Sequence, residues 1–310
     1  MNVRDVLPKD AIPSIDTPTF SDAYFGSDDD EVLVVDGDPP RAYPIRILSY
    51  HEIVNDTVDG VPVAVTWCPI CWSAVVYDRR VDDRVLTFGT SGKLADDALV
   101  MYDRETETEW KQPTGEAIAG TLSGRQLTVR FAPMMSWETF RAEYPEGMTL
   151  QPVRGTGGEP GSPAEIYDME PYREYAERET FGLYGMRGEG DPRSWARTDI
   201  DAKTPVLGVE VDSEALAFPV PEVEARGGIV TERVGGTDIV VFTTTDGIYG
   251  YENPGFAFER REGGVYADGT RWDPKTGKSE DGRQLDQVAQ RRMFAFAWQD
   301  AHGPDSFWGL

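Results

Sequence analysis

The sequence predicts an α+β protein rich in β-strands, built from two similar halves of antiparallel hairpins that are each closed by a short helix. Two observations predict this class. Short apolar segments with alternating polarity recur between turns rich in Gly, Pro and Asp. Several segments also occur twice in the same order, which indicates an internal duplication. With 310 residues, the chain is long enough to bury a sizeable core.

The beginning of the chain predicts a lead-in, a strand and a short helix. Residues 1–30 are polar and rich in Pro and Asp, which favours a lead-in lying on the surface. Glu31–Val35 predicts a strand that ends at an Asp- and Pro-rich turn. Apolar positions between Ile45 and Val54 fit one face of a helix, so His51 is expected on or near that helix.

The remainder of the first half predicts hairpins followed by a closing helix. Asp59-Gly60 predicts a hairpin turn before the alternating strand Val61–Trp67, and the two cysteines stand at the end of that strand. Ser136 is expected to cap a helix over Trp137–Glu143. Further strands are predicted at Ser73–Tyr77, Leu99–Tyr102 and Glu109–Trp110.

The predicted organisation is a first repeat over residues 31–149, a connecting segment over 150–204 and a second repeat over 205–310. Within the connecting segment, Gly155–Pro163 is expected to form an exposed loop. Corresponding segments of the repeats are Val32–Val35 with Val206–Val209, Ala42–Ile45 with Ala217–Val220, Tyr102–Thr106 with Trp272–Gly277, and the identical Gly124–Leu127 and Gly282–Leu285. The second repeat has Thr243–Gly247 in place of the cysteine turn, so we expect the site in the first repeat.

The composition is strongly acidic, with 55 Asp and Glu against 30 Lys and Arg and a net charge of −25. An acidic, lysine-poor surface stays hydrated in concentrated salt, which predicts a halophilic protein. Nucleic acid is excluded as a partner because no basic face is available to neutralise phosphates. No apolar run approaches the length of a membrane span, and Met1–Pro8 contains no apolar signal core, so a cytoplasmic location is expected.

The region from Arg41 to Trp110 resembles a known family. It contains Arg41-Ala42-Tyr43-Pro44, His51-Glu52-Ile53-Val54-Asn55-Asp56, Val65-Thr66-Trp67-Cys68-Pro69-Ile70-Cys71 and Val100-Met101-Tyr102-Asp103-Arg104. These segments resemble an uncharacterised bacterial and archaeal family, domain of unknown function 3179, and the chain is similar to a haloarchaeal member. The resemblance implies no particular reaction. One residue departs from the pattern, because Trp72 stands where such proteins usually have glycine.

The Cys68-Pro69-Ile70-Cys71 turn has three interpretations. The first is a transition-metal site for Zn or Cu, structural or redox, with Cys68, Cys71 and His51 as ligands, since thiolate and imidazole suit these metals. The second is a dithiol oxidoreductase, although the residues after the turn predict a strand and no helix to activate the first cysteine. The third is a buried structural pair, either inert or bridged by a disulfide.

Three further residues could contact an anion or a substrate: Ser91 in a Gly-rich turn, Asp103 and Arg104. Asp103 and Arg104 are also expected to pair with each other at a hairpin turn. No nucleotide-binding motif is present, so no nucleotide cofactor is expected. A different class of function is a non-enzymatic β-rich module that binds a small molecule, such as a sugar, or a protein partner, with the cysteines uninvolved. Enzymatic activity stays open at this point.

Overall fold

The computed structural model describes residues 1–153, 167–168 and 171–310. The predicted Gly155–Pro163 loop lies outside these residues. The helices of the described part are all short: α1 (Ile45–His51), α2 (Trp137–Glu143), α3 (Arg173–Glu177), α4 (Gly182–Arg187), α5 (Val220–Ala225) and α6 (Ala295–His302). In the described ranges no helix combines the length and the apolar character needed to cross a membrane.

Strands make up much more of the described chain than helices, which confirms the predicted β-rich α+β class. Those before residue 154 are β1 (Val3–Asp5), β2 (Phe20–Ser21), β3 (Glu31–Val35), β4 (Arg41–Pro44), β5 (Ile53–Val58), β6 (Val61–Cys68), β7 (Ser73–Asp78), β8 (Arg80–Val81), β9 (Arg84–Val85), β10 (Phe88–Ala95), β11 (Ala98–Asp103), β12 (Glu109–Lys111), β13 (Glu116–Ala119), β14 (Val129–Arg130), β15 (Met134–Ser136) and β16 (Met148–Leu150). Those after residue 204 are β17 (Pro205–Val211), β18 (Glu214–Pro219), β19 (Ile229–Val234), β20 (Thr237–Thr244), β21 (Gly247–Glu252), β22 (Glu259–Arg261), β23 (Gly264–Ala267), β24 (Thr270–Trp272) and β25 (Gln290–Phe294).

A seven-stranded antiparallel sheet contains strands from both ends of the chain. Six of its strands follow the order β18-β17-β25-β7-β6-β5, and β14 pairs with β7 beside this path. Strands β25 and β7 meet at Arg292 and Ala74. Because β7 follows the cysteine turn directly, the last strand of the chain lies next to that turn.

The described chain forms five further sheets. Two sheets have five strands, in the orders β1-β10-β11-β12-β13 and β15-β3-β4-β16-β2, and the smaller ones are β19-β20-β21, β22-β23-β24 and β8-β9. The predicted surface lead-in, residues 1–30, takes part in the two five-stranded sheets, because β1 pairs with β10 and β2 pairs with β16. Both β1 and β2 are edge strands of their sheets.

The local predictions around the site are confirmed at β3, β6, β7 and α2. Ser136 caps α2 by accepting a hydrogen bond from the amide of Thr139. The predicted helical stripe is too long, since α1 ends at His51 and Ile53 already belongs to β5. The reason is Glu52, whose left-handed backbone conformation (φ 57°) ends the helix.

The same series of elements occurs in the first and last thirds of the chain. A hairpin leads through Pro44 into α1, and a second hairpin leads through Pro219 into α5, with nearly equal backbone angles at the two prolines. Each helix is followed by a three-stranded meander whose strands have six, eight and six residues, β5-β6-β7 and β19-β20-β21.

Two glycine turns in the described chain share their backbone hydrogen bonds. Gly277 donates its amide to the carbonyl of Asp273, four residues earlier, as Gly115 does to Lys111. The amides of Leu285 and Leu127 bond to the carbonyls of these same two glycines. These hydrogen bonds relate Trp272–Gly277 to Trp110–Gly115, whereas the correspondence with Tyr102–Thr106 stays a prediction.

Candidate redox site at the cysteine turn

The cysteine turn joins two central strands of the seven-stranded sheet. Cys68 is the last residue of β6, and β7 begins at Ser73. The sulfurs of Cys68 and Cys71 are joined as a disulfide. Both cysteines are buried, with exposed fractions of 1% and 0%. The turn is followed directly by strand β7 and not by a helix.

Backbone amides supply the polar contacts that a helix would otherwise provide. The amides of Cys71 and Leu99 each donate to Sγ of Cys68 over 3.4 Å. Sγ of Cys71 instead lies 3.8 Å from the carbonyl oxygen of Asp97, which can only accept. In the reduced protein, this asymmetry favours negative charge on Cys68 and a protonated thiol on Cys71.

The turn is held from outside by residues distant in sequence. The amide of Phe294 donates to the carbonyl of Cys71 over 2.9 Å. The hydroxyl of Tyr175 donates to the carbonyl of Ile70 over 2.8 Å and accepts from the amide of Gly182. Strand β25 and helices α3 and α4 therefore stabilise the shape of the turn.

Trp72 adopts a left-handed backbone conformation, with φ 52°. The turn thus needs the positive φ that glycine tolerates best, and this chain meets the need with a bulky residue at a conformational cost. The indole stacks on Phe294 at 5.5 Å between ring centres and meets Trp67 edge-on at 5.2 Å. These contacts offset the cost of the backbone conformation.

Replacing Trp72 separates these two effects. We expect Trp72→Gly to lower the free energy of unfolding by about 1–2 kcal/mol, because the lost ring contacts outweigh the relieved backbone. Trp72→Ala loses the same ring but keeps the strain, so it should be less stable than Trp72→Gly by about 1 kcal/mol. Urea unfolding of the three proteins measures both differences. An alanine variant as stable as the glycine variant would contradict the strain at this position.

A small apolar cavity of about 50 Å³ borders the disulfide on the Cys68 side. Its walls come from the N-terminal segment, the cysteine turn, β10 and α4. Apolar side chains dominate the lining: Val6, Leu7, Ile12, Ile70, Leu94, Leu99, Leu183 and Met186. Gly92 (φ 77°) brings the N-terminal segment close, since its carbonyl accepts the amides of Val6 and Leu7, and a Cβ there would collide with the backbone of Leu7.

Glu52 places a carboxyl group in this apolar cavity. It is 7% exposed, and its side chain has no hydrogen-bond partner among the described residues. Burial raises the pKa of Glu52 to about 8, while the charge of Arg187 acts in the opposite direction. Glu52 was not predicted as a site residue. The signal available in the sequence is a lone acidic residue beside the apolar Ile53-Val54 pair.

Three more titratable residues line the cavity. Burial is the main cause that raises the pKa of Tyr172, and the charge of Glu52 acts in the same direction. Lys93 is paired with Glu109 at 2.6 Å. Arg187, the last residue of α4, is exposed and forms no ion pair or side-chain hydrogen bond within the described ranges.

His51 is buried in a separate set of contacts and does not line the cavity. Its Nδ1 lies 2.8 Å from the carbonyl of Pro13, and its Nε2 lies 2.7 Å from the hydroxyl of Tyr167. Since a carbonyl can only accept, Nδ1 carries the proton and Nε2 accepts from the tyrosine. Burial lowers the pKa of His51, which favours this neutral form.

The predicted metal ligands do not form a recognisable metal centre. Among the described residues, no group of three or more His, Cys, Asp or Glu side chains is arranged to hold a metal ion. Both nitrogens of His51 are occupied, and the two sulfurs are bonded to each other. The predicted binding of Zn or Cu stays a prediction. His302, at the other end of the chain, pairs with Glu210 at 3.0 Å.

The three predicted anion or substrate contacts are bonded within the protein. Ser91 donates to the carbonyl of Val100 and accepts the amide of Lys93 at a β-bulge. Asp103 is fully buried and accepts from Thr106 and from Nε1 of Trp110.

Arg104 pairs with Asp16 and donates to Ser14, so the expected pairing of Asp103 with Arg104 is wrong. The reason is that Asp103 points into the core, whereas Arg104 is partly exposed and reaches the N-terminal segment. A ligand contact at these three residues stays a prediction.

The fold and this site define a β-rich α+β protein with a buried disulfide turn beside an apolar cavity that contains a carboxyl group. The chain belongs to the family described as protein of unknown function (DUF3179), whose model matches residues 9–306. No curated protein and no solved structure matches the chain.

Proposed function

We propose that Cys68 and Cys71 form a redox-active pair that exchanges disulfides with a small thiol in the adjoining cavity. The observation that carries this proposal is the position of Cys68, which borders the cavity and accepts two backbone amides, whereas Cys71 does not line it. Such an arrangement places Cys68 next to a space for a small reactant, and the two amides prepare its sulfur to carry charge. A volume of about 50 Å³ suits a small molecule rather than a protein segment.

The exchange proceeds through two nucleophilic steps. A thiolate from the small molecule attacks Sγ of Cys68, the bond between Cys68 and Cys71 breaks, and Cys71 leaves with the electron pair and takes up a proton. A second thiolate then attacks the outer sulfur of the mixed disulfide, which releases Cys68 as a thiolate. Two small thiols become one disulfide, and the protein disulfide becomes a dithiol after gaining two electrons.

The remaining groups fit these steps. The Cys71 thiol has the carbonyl of Asp97 as an acceptor, and the Cys68 thiolate keeps its two amide donors. Glu52 lies in the same cavity without a hydrogen-bond partner in the described part of the chain, and its protonated carboxyl can donate a proton to a thiolate that leaves the mixed disulfide. The surrounding apolar side chains limit access by water.

Alkylation of free thiols followed by mass spectrometry tests the proposal. Protein isolated without reductant should show no alkylated cysteine, and brief treatment with a small thiol should give two. Cys68→Ser should lose the exchange entirely. Cys71→Ser keeps the attacked sulfur and should stop at a mixed disulfide with the added thiol.

Two results would count against the redox pair. One is a disulfide that small thiols reduce only after the protein has been unfolded, because the pair would then be structural. The other is stoichiometric Zn or Cu in the native protein by elemental analysis, with loss of the metal in both cysteine variants, because the pair would then act as metal ligands.

We also propose that the two series of elements arose by internal duplication and that the second copy lost the site. The matching strand lengths and the equivalent glycine turns support this proposal. Strand β20 leads into β21 through Thr245 and Asp246 only, whereas the cysteine turn has four residues between β6 and β7. The longer turn is what places Cys71 next to Cys68.

We further propose that the acidic surface is an adaptation to concentrated salt, in keeping with a haloarchaeal, cytoplasmic protein. The net charge of −25 gives strong self-repulsion, which salt screens. The melting temperature should therefore rise by about 10 °C or more between about 0.1 M and 3 M KCl. A thermal scan at several salt concentrations measures this, and a melting temperature independent of KCl would exclude the adaptation.

A further inference from the structure

We infer that the thiol exchanged at Cys68 carries a carboxylate, and that Arg187 binds this carboxylate at the cavity. The inference rests on the redox function proposed above and adds the chemical class of the reactant. It depends on the charges around the cavity, on the size of the cavity and on the charge of the whole protein.

Arg187 is the cavity cation that remains available. Lys93, the other cation in the lining, is committed to Glu109 at 2.6 Å. Close to the turn, Arg193 is paired with Asp300 at 2.7 Å and lies near Asp97. Arg187, in contrast, forms no ion pair in the described ranges. A guanidinium group has a planar set of donors that matches a carboxylate, so an unpaired arginine beside a reactive sulfur indicates recognition of that group.

Glu52 does not serve as the anionic partner of Arg187 in place of a carboxylate on the reactant. Its charge interacts with Arg187, yet no hydrogen bond joins the two side chains. The apolar lining disfavours the ionised form of Glu52, so the positive charge of Arg187 is not neutralised from within the cavity.

The size of the cavity and the net charge of the protein narrow the class of reactant further. A cavity of about 50 Å³ accepts only a few heavy atoms, which suits a short alkyl chain between a thiol and a carboxylate. The protein as a whole carries −25 charges and repels anions. An anionic reactant therefore needs a local cation at the cavity, and Arg187 is placed to provide it.

Two small thiols with and without a carboxylate test the inference. The reduction rate of the Cys68–Cys71 disulfide is measured with 3-mercaptopropionate and with 2-mercaptoethanol, each at the same thiolate concentration. The rate with 3-mercaptopropionate is then divided by the rate with 2-mercaptoethanol. We expect Arg187→Gln to lower this ratio about fivefold. Arg187→Lys keeps the charge and should recover part of the ratio. Arg84→Gln removes the same charge from the exposed β9, outside the cavity lining, and should leave the ratio unchanged.

The outcomes separate this inference from the function on which it rests. If the ratio is the same in Arg187→Gln and in the unaltered protein, and both thiols are still active, the inferred recognition of a carboxylate is wrong. The proposed redox pair is then unaffected. An equal fall in the Arg84→Gln control would also overturn the recognition of a carboxylate, because the effect would then be one of net charge. Failure of both thiols to reduce the folded protein would overturn the redox function itself.

Discussion

The Glu52→Gln variant is expected to be more stable than the unaltered protein at alkaline pH. Burial raises the pKa of Glu52 from 4.5 in the unfolded chain to about 8 in the folded protein. Between these values the folded state keeps a proton that the unfolded state releases, so stability falls as the pH rises through this window. The loss is complete above about pH 8 and amounts to about 3–5 kcal/mol. Glutamine cannot ionise, so the variant does not have this loss.

Urea unfolding at about pH 5 and pH 9 measures the effect. The difference in unfolding free energy between Glu52→Gln and the unaltered protein should grow in favour of the variant as the pH rises. Glu262→Gln, at an exposed turn, removes one negative charge without changing the cavity and measures the contribution of net charge alone. If the two substitutions gave the same pH dependence, Glu52 would not be buried as the structure has it.

A methyl group at Gly208 is expected to destabilise the protein by about 3 kcal/mol. Gly208 lies in β17, and a Cβ at this position would come within 3 Å of three ring atoms of Trp298. Trp298 is fully buried and cannot move away easily, because its Nε1 donates to Ser306 and its ring packs on His302 at 4.0 Å. Gly208→Ala therefore forces either the ring or the strand out of position.

Chemical unfolding of a double-mutant cycle with Trp298→Phe tests this cause. Phenylalanine leaves space where the larger indole ring stood, so the added methyl should cost at least about 1 kcal/mol less in the Trp298→Phe background. Equal costs in both backgrounds would show that contact with Trp298 is not the reason. In the hairpin of β3 and β4, Val34 pairs with Ala42 as Gly208 pairs with Ala217 in the hairpin of β17 and β18, so the requirement for glycine belongs to the contact with Trp298 and not to the hairpin itself.

Much of the architecture near the site could be predicted because the signals are local. The alternation of apolar residues placed β6, and the capping preference of Ser136 placed the start of α2. Each of the identical Gly-Arg-Gln-Leu segments ends in a leucine whose amide donates to the carbonyl of a turn glycine. The limits of α1 could not be predicted from periodicity. A left-handed residue at Glu52 ended the helix, and the apolar pattern continued into the next strand.

The site itself was predicted only in part. The sequence pointed to Cys68 and Cys71, and it suggested His51 because of its position in the same region. In the structure, Glu52, the residue that follows His51, lines the cavity together with Cys68. A shift of one residue at the end of a helix changes which side chain faces which part of the core, and the spacing of residues along the chain does not determine it.

By itself, the sequence determined the β-rich class, the acidic surface and the position of the cysteine turn, because composition, alternation and turn residues act over a few neighbouring residues. Only the tertiary structure decided what surrounds the turn. The cavity walls come from residues 6–12, 52, 90–99 and 172–187, and the outer face of the turn is held by Phe294. These contacts depend on which strands pair across the whole chain, and burial among them is what keeps Glu52 protonated beside the sulfur.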